Sequence, residues 1–138
     1  MNFTQTFGWY YTSPSDRAPA WSGVDEFFGF LVKEPPFSEQ GGMTGPFGRI
    51  ATSPEEVMEG DIIQLMNSEG EFYHTLIISA FTDDDVLICA HSNDALDRPL
   101  STYRYSALRV IHIEGGRFEV DSEKSFKEIL EGRAILSL

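Results

Sequence analysis

Two histidines, His74 and His91, are the residues of this sequence best placed to do chemistry. His74 lies in the apolar run 72–78, and His91 ends the next apolar run at 86–91. Both runs predict strands joined by a turn, and directly opposed residues of an antiparallel pair lie about 5 Å apart. Such a pair can hold one imidazole against a polar group that orients it, as in a nucleophilic triad. A strand histidine is also commonly structural, and the spacing alone does not separate these two interpretations.

The sequence contains a single cysteine, Cys89, so an internal disulfide is excluded. Cys89 precedes His91 by two residues, which predicts that both side chains lie on the same face of one strand. A cysteine nucleophile is commonly activated at a helix N-terminus, and a mid-strand position offers none. We therefore predict that Cys89 is a small core residue and not a nucleophile.

The remaining polar candidates carry weaker signals. His112 lies in a separate predicted strand without a polar neighbour that would make a site, and we interpret it as structural. Asp61 precedes a strand, which favours a turn residue over a catalytic one. The acidic run 83–85 is typical of a solvated turn. The histidines and the cysteine show no metal-ligand spacing, so we predict neither a metal nor a cofactor.

Four aromatic residues have two interpretations. Trp9, Tyr10, Trp21 and Tyr73 are of the type that lines substrate grooves, in which apolar walls surround a few polar groups. Large aromatic side chains also dominate protein cores. We predict core packing for these four residues.

The elements that must position these residues follow from apolar periodicity and turn residues. Apolar residues recur at helical spacing over 24–32, and Pro35 and Pro36 end that helix. The segments predicted as strands are 61–66, 72–79, 86–91 and 108–113. Segments 37–52 and 92–99 are predicted as loops, and 53–56 is predicted as one short helical turn. Gly115-Gly116 is predicted to turn a hairpin into 117–120. A helix followed by antiparallel strands indicates an α+β fold with a central antiparallel sheet.

Length and charge bound the class of protein. The 138 residues form one predicted domain, and 22 acidic against 10 basic residues give a net charge of −12. An acidic surface repels phosphate groups and anionic lipids, which argues against nucleic acid and membranes as partners. The N-terminal residues lack the pattern of a secretory signal, and no apolar stretch is long enough to span a bilayer. The sequence as given is predicted to be cytoplasmic.

Three short runs together resemble the bacterial putative amidase domain family. They are EGDIIQ at 59–64, YHTLII at 73–78 and AHSND at 90–94, and the aromatic opening with the helix after Trp21 is similar as well. The resemblance covers roughly residues 1–113, which leaves 114–138 as a C-terminal extension with a β-hairpin and a short helix. It implies an NlpC-like cysteine peptidase with a papain-like core.

The resemblance also implies roles for residues. His74 takes the place of the general base, and His91 takes the place of the residue that orients it, with Asn93 or Asp94 as alternatives. The family's nucleophile is a cysteine at a helix N-terminus, upstream of the residues matched here, and nothing in these 138 residues replaces it. We therefore expect a truncated or degenerate amidase or peptidase domain without turnover of its own.

The implied substrates are peptides or other amides, with cell-wall peptides among them. If the protein starts upstream of Met1, a cell-envelope location is the alternative to the cytoplasm. The alternative is a non-catalytic module that binds peptides or glycopeptides in the same groove. Without the cysteine helix, strand residues beside His74, such as Leu76 and Ile78, are expected to be uncovered. Three candidates could cover them: a second copy of the chain, the segment 3–11 folding back, or the C-terminal helix around Phe126 and Ile129. Of these, a homodimer is the one expected.

Overall fold

A computed structural model describes residues 9, 11–32, 45–90 and 94–117 of the chain. The fold is α+β, as predicted, and over these residues it comprises a six-stranded antiparallel sheet, a small two-stranded sheet and two helices. The helices are α1 (Pro19–Ser22) and α2 (Val24–Leu31), and the strands are β1 (Tyr11–Ser13), β2 (Asp16–Arg17), β3 (Gly45–Ile50), β4 (Ile62–Met66), β5 (Phe72–Phe81), β6 (Val86–Ala90), β7 (Ala95–Pro99) and β8 (Ala107–Arg117). Short 3₁₀ turns occupy Pro54–Glu56 and Leu100–Thr102.

The large sheet has the order β3-β8-β4-β5-β6-β7, and every neighbouring pair is antiparallel. Strand β4 lies between β5 and β8, so that Ile62 is paired with Ile77 on one side and Ile111 on the other. The four predicted strands are all present and are consecutive neighbours in this sheet. The predicted helix over 24–32 and the short turn near 53–56 are confirmed as well.

Two strands lie where loops were predicted. Gly45–Ile50 forms β3 and Ala95–Pro99 forms β7, which are the two edges of the sheet. An edge strand is paired on one side only, so it tolerates a proline such as Pro46, which cannot donate to a second neighbour. Their Gly, Pro and charged residues concealed these strands from a pattern-based prediction.

The predicted hairpin at Gly115-Gly116 is wrong within the described residues, because β8 continues through both glycines to Arg117. Gly115 is paired with Phe47 of β3, and a Cβ at Gly115 would meet the Phe47 ring at 3.0 Å. The glycine therefore makes room for an aromatic ring on the neighbouring strand instead of turning the chain. Residues 118–138, with the predicted second hairpin strand and C-terminal helix, lie outside the described part.

Apolar side chains alternate between the two faces of the sheet, as strand geometry requires. The face that we call the inner face carries a buried cluster closed by the turn that contains Leu100; its members are Ile63, Leu65, Leu76, Ile78, Ile88 and Leu100. The other face, which we call the helix face, packs against α2 through Leu31, Ile62 and Ile111.

The expectation that Leu76 and Ile78 are uncovered is wrong. Both side chains are buried in the inner-face cluster by other parts of the same chain. The apolar residue that stays exposed between them is Ile77, with 49% of its surface accessible on the helix face. The buried state of Leu76 and Ile78 therefore removes the reason given for a homodimer, and the homodimer itself stays a prediction.

Candidate functional site

A cleft of about 850 Å³ lies between the helix face of the sheet and the N-terminal aromatic segment. The sheet contributes residues of β4, β5, β6 and β8, and the opposite wall comes from Trp9, α1 and α2. Its lining consists of Trp9, Ala20, Trp21, Ser22, Gly23, Val24, Phe27, Pro46, Gly60, Ile62, Tyr73, His74, Thr75, Ile77, Cys89, Ala90 and Ile113. Within the described part of the chain, this lining contains no Asp, Glu, Lys or Arg.

The aromatic wall is built from rings that contact one another. The ring of Trp9 lies 4.8 Å from that of Trp21 and 5.9 Å from that of Phe27, centroid to centroid. Trp21 and Tyr73 each keep 44% of their surface exposed. The prediction that Trp9, Trp21 and Tyr73 are core residues is therefore wrong, because they line the cleft; Tyr10 lies outside the described residues.

A hydrogen-bonded network joins the helix wall of the cleft to the sheet. The buried Gln64 side chain donates from Nε2 to the Val24 carbonyl oxygen at 2.8 Å and to Thr75 Oγ1 at 3.0 Å. Its Oε1 accepts a hydrogen bond from Arg109 Nε at 2.8 Å. Arg109 also forms an ion pair with Asp25 at 3.0 Å in the first turn of α2. Gln64 therefore fixes both the start of α2 and the Thr75 side chain in the cleft.

His74 borders the cleft from β5, next to a register shift in the pairing of β5 with β4. It is paired with Leu65 of the inner-face cluster, and its ring lies 5.8 Å from the ring of Tyr103, which packs on that cluster. The side chain is partly buried, and within the described part of the chain its ring has no hydrogen-bond partner. His74 is therefore placed at the margin of the cleft, beside the inner face of the sheet.

The surroundings of His74 favour its neutral form. Burial lowers the pKa of His74 below the ordinary value of 6.5, and the positive charge of Arg98 lowers it further. The Arg98 guanidinium lies 3.9 Å above the Tyr103 ring and donates to Thr102. A neutral imidazole at neutral pH can accept a proton, so the protonation state of His74 suits a general base.

We expect the His74 ring to titrate with a midpoint below 6.5, mainly because of its burial. The unfolded chain then binds the proton first as the pH falls, so the folded state loses stability from about pH 6.5 downwards until the folded-state midpoint is passed. NMR of the imidazole signals, assigned with His74→Gln, measures the midpoint. Arg98→Gln should raise it while Arg104→Gln leaves it in place; a wild-type midpoint at or above 6.5 would contradict the expectation.

The orienting residue proposed for His74 is only partly within the described chain. His91 and Asn93 lie outside the described residues, so the predicted contact between the rings of His74 and His91 stays a prediction. Asp94 is described as an exposed residue directly before β7. Its role as an alternative orienting residue stays a prediction as well.

Cys89 differs from its predicted role as a core residue, because it is only partly buried and lines the cleft. It is paired with Ile77, three residues from His74 along β5. Three residues of strand span about 10 Å, and an odd separation places the two side chains on opposite faces. Cys89 and His74 therefore do not form a nucleophile–base pair in this structure.

The sequence pattern missed a carboxylate–imidazole pair. His112 was interpreted as having no polar neighbour, yet its Nδ1 lies 3.0 Å from Oδ2 of the buried Asp61. The Asp61 carboxylate also accepts backbone hydrogen bonds from Met58 and Ile113, each at 2.9 Å. Asp61 thus closes a turn, as predicted, and also joins β4 to β8. Neither residue lines the cleft. The pair could not be predicted from the sequence pattern because 50 residues separate its members.

Over the ranges 9, 11–32, 45–90 and 94–117, no group of three or more His, Cys, Asp or Glu is arranged to hold a metal ion. Over the same ranges, no helix is long and apolar enough to cross a membrane.

The described residues thus form an antiparallel α+β domain whose aromatic-walled cleft is lined by no described Asp, Glu, Lys or Arg and has His74 at its margin. The chain belongs to the family described as Putative amidase domain, which matches residues 1–113. This match confirms the putative amidase part of the resemblance and indicates amide-bond hydrolysis at a coarse level, whereas the NlpC-like type and the bacterial origin stay predictions. No curated protein and no solved structure matches the chain.

Proposed function

We propose that this chain is the base-carrying part of a cysteine-dependent amidase or peptidase domain of the NlpC-like, papain-like type. In this proposal His74 is the general base, and His91, Asn93 or Asp94 orients its ring. The observation that carries the proposal is the partly buried His74, whose pKa is lowered, at the margin of a cleft without charged side chains in the described lining. Family membership supplies the reaction class.

The chemistry assigned to His74 is proton transfer at an amide. The base takes the proton of a cysteine thiol, and the thiolate attacks the carbonyl carbon of the substrate amide. The imidazolium then gives that proton to the nitrogen as the C–N bond breaks, which releases an amine and leaves a thioester. Water hydrolyses the thioester and regenerates the thiol. A base that is neutral before the reaction and accepts a proton during it fits both steps.

The nucleophile of this proposal is a cysteine other than Cys89. Cys89 is the single cysteine of the 138 residues, and it lies on the face of β5 and β6 opposite to His74. A cysteine helix of the papain-like kind would supply the thiol from outside these residues. The 138 residues alone are then expected to bind amides, with cell-wall peptides as candidate substrates, and to release no product.

The proposal is tested by supplying the missing thiol from solution. The folded chain is incubated with N-acetyl-leucine p-nitroanilide, with and without 2-mercaptoethanol, and p-nitroaniline release is followed by absorbance. We expect release only when both protein and thiol are present. His74→Gln should lower that rate by about 100-fold or more, which is the contribution of a positioned general base.

The controls separate catalysis from folding. Leu96→Gln introduces the same side chain at a residue of β7 that is 81% exposed and outside the cleft lining, and it should keep the wild-type rate. Circular dichroism confirms that both variants are folded. A thiol-dependent rate that His74→Gln leaves unchanged would contradict the role of His74. Release without added thiol that disappears in Cys89→Ala would instead identify Cys89 as the nucleophile.

A second candidate function is a module that binds peptides or glycopeptides without cleaving them. The observation that favours it is the placement of Cys89 on the face opposite to His74, which leaves no described nucleophile at the base. Saturable peptide binding, together with no thiol-dependent release in any variant, would select this function over the hydrolase.

A further inference from the structure

The described residues that line the cleft carry no Asp, Glu, Lys or Arg, although the protein as a whole is strongly charged. Charged residues make up 23% of the chain, and 22 acidic against 10 basic residues give the net charge of −12. None of these charged residues is among the described residues that line the cleft. Arg98, whose charge acts on His74, is also absent from that lining and is held by Thr102 and the Tyr103 ring. The described lining therefore holds no Lys or Arg that could form an ion pair with a ligand carboxylate.

The walls of the cleft are apolar and held in place. The Trp9 ring is stacked on Phe27 and lies tilted against Trp21, so the aromatic wall is formed before a ligand arrives. The Tyr73 hydroxyl donates to the Arg104 carbonyl oxygen at 2.7 Å, which fixes that ring at the other side. Ile77 keeps 49% of its surface exposed in the floor. A preformed apolar surface of this kind gains most from a bulky apolar side chain of the ligand.

We infer that the cleft selects amides that carry bulky apolar side chains and no carboxylate at the end that enters. The inference rests on the proposed function, because it names the substrate class of the same site. A carboxylate would lose its hydration in the cleft without gaining a cationic partner, and the net negative charge repels it before it arrives. A glycine-type amide enters but leaves the aromatic wall and Ile77 without a partner.

The two tryptophans of the sequence, Trp9 and Trp21, both line the cleft. Because both tryptophans line the cleft, a change in intrinsic tryptophan fluorescence reports ligand binding at this site. The 138-residue chain is titrated, without thiol, with three matched peptides. They are N-acetyl-Phe-Leu-amide, the same peptide with a free C-terminal carboxylate, and N-acetyl-Gly-Gly-amide.

The neutral apolar peptide is expected to change the fluorescence in a saturable way. The carboxylate form and the glycine peptide should bind at least about 10-fold more weakly, which is the smallest discrimination expected from lost apolar contacts or an unpaired charge. Equal affinity for the carboxylate form or for the glycine peptide would overturn the inference. Fluorescence that none of the three peptides changes would overturn it as well.

A matched pair of charge variants locates the binding. Ile77→Glu places a carboxylate in the cleft floor, and Leu96→Glu makes the same change at a β7 residue that is 81% exposed and outside the lining. Ile77→Glu should weaken binding of the neutral apolar peptide by about 10-fold or more, whereas Leu96→Glu should leave it unchanged. Ile77→Ser replaces Ile77→Glu if the latter fails to fold by circular dichroism. Equal binding by the cleft variant and Leu96→Glu would overturn the location.

The outcome is separable from that of the hydrolase proposal. Binding is measured without thiol, so it depends neither on the proposed nucleophile nor on turnover. Selective binding without thiol-dependent hydrolysis would uphold the cleft inference and reject the hydrolase. Hydrolysis that depends on His74 but does not distinguish the three peptides would uphold the hydrolase and reject the cleft inference.

Discussion

Replacing Asp61 with alanine is expected to lower the free energy of unfolding by about 3 to 5 kcal/mol. The buried carboxylate accepts hydrogen bonds from the backbone of Met58 and Ile113 and lies 3.0 Å from His112 Nδ1. Alanine leaves two backbone donors and one imidazole without this acceptor, and each unsatisfied buried donor costs about 1 to 3 kcal/mol. The effect should be large because these bonds join the turn before β4 to β8, which is far away in the sequence.

Urea unfolding followed by circular dichroism measures this effect. Asp84→Ala is the matched control, since it removes an exposed carboxylate that has no hydrogen-bond partner within the described residues. It should stay within about 0.5 kcal/mol of the wild type. Asp61→Asn keeps one acceptor oxygen, so its free energy of unfolding should lie between those of Asp61→Ala and Asp84→Ala. A loss below about 1 kcal/mol for Asp61→Ala would mean that the Asp61 bonds contribute little to stability.

Replacing Arg109 with alanine is expected to lower the free energy of unfolding by about 2 to 4 kcal/mol. The guanidinium lies 3.7 Å from the ring centroids of both Phe28 and Phe72, and its Nε donates to the buried Gln64 Oε1. Its removal leaves the Gln64 oxygen without a donor and opens the space between the two rings. The contact between α2 and the sheet should weaken first, because Phe28 and the Arg109–Asp25 ion pair belong to that helix.

Two readouts test this second expectation. Urea unfolding gives the size of the loss, and tryptophan fluorescence reports the position of the helix wall, since Trp9 contacts Phe27 of α2. Arg109→Lys keeps the charge but lacks the planar fork, so it should recover only part of the stability. Arg104→Ala removes an exposed arginine and serves as the control. Arg109→Ala with wild-type stability would show that the network is not needed to hold α2.

The elements with strong local patterns could be predicted from the sequence. The helix Val24–Leu31 repeats apolar residues at helical spacing, and β4, β5, β6 and much of β8 are apolar runs bounded by turn residues. Such patterns depend on near neighbours in the chain, which is why they predict the type of element well. The same local reasoning identified His74 as a strand residue and the family to which the chain belongs.

The edge strands β3 and β7 and the continuation of β8 past Gly115 could not be predicted in this way. A strand at the edge of a sheet is defined by the backbone donors and acceptors of its partner, and its own side chains need not alternate. The turn chemistry of Gly115 and Gly116 was overridden because β3 offers pairing along that whole stretch.

The sequence by itself determined which residues are available to the fold: the single cysteine, the histidines, the aromatic opening and the excess of acidic side chains. Only the tertiary structure decided which of these residues meet. The register of β5 and β6 put Cys89 on the face opposite to His74, and the fold of the N-terminal segment brought Trp9 and Trp21 to the cleft. Contacts such as Asp61 with His112 and Gln64 with Arg109 join residues 51 and 45 positions apart. Their formation depends on how the sheet pairs, because no local pattern specifies which distant side chain will come within hydrogen-bonding distance.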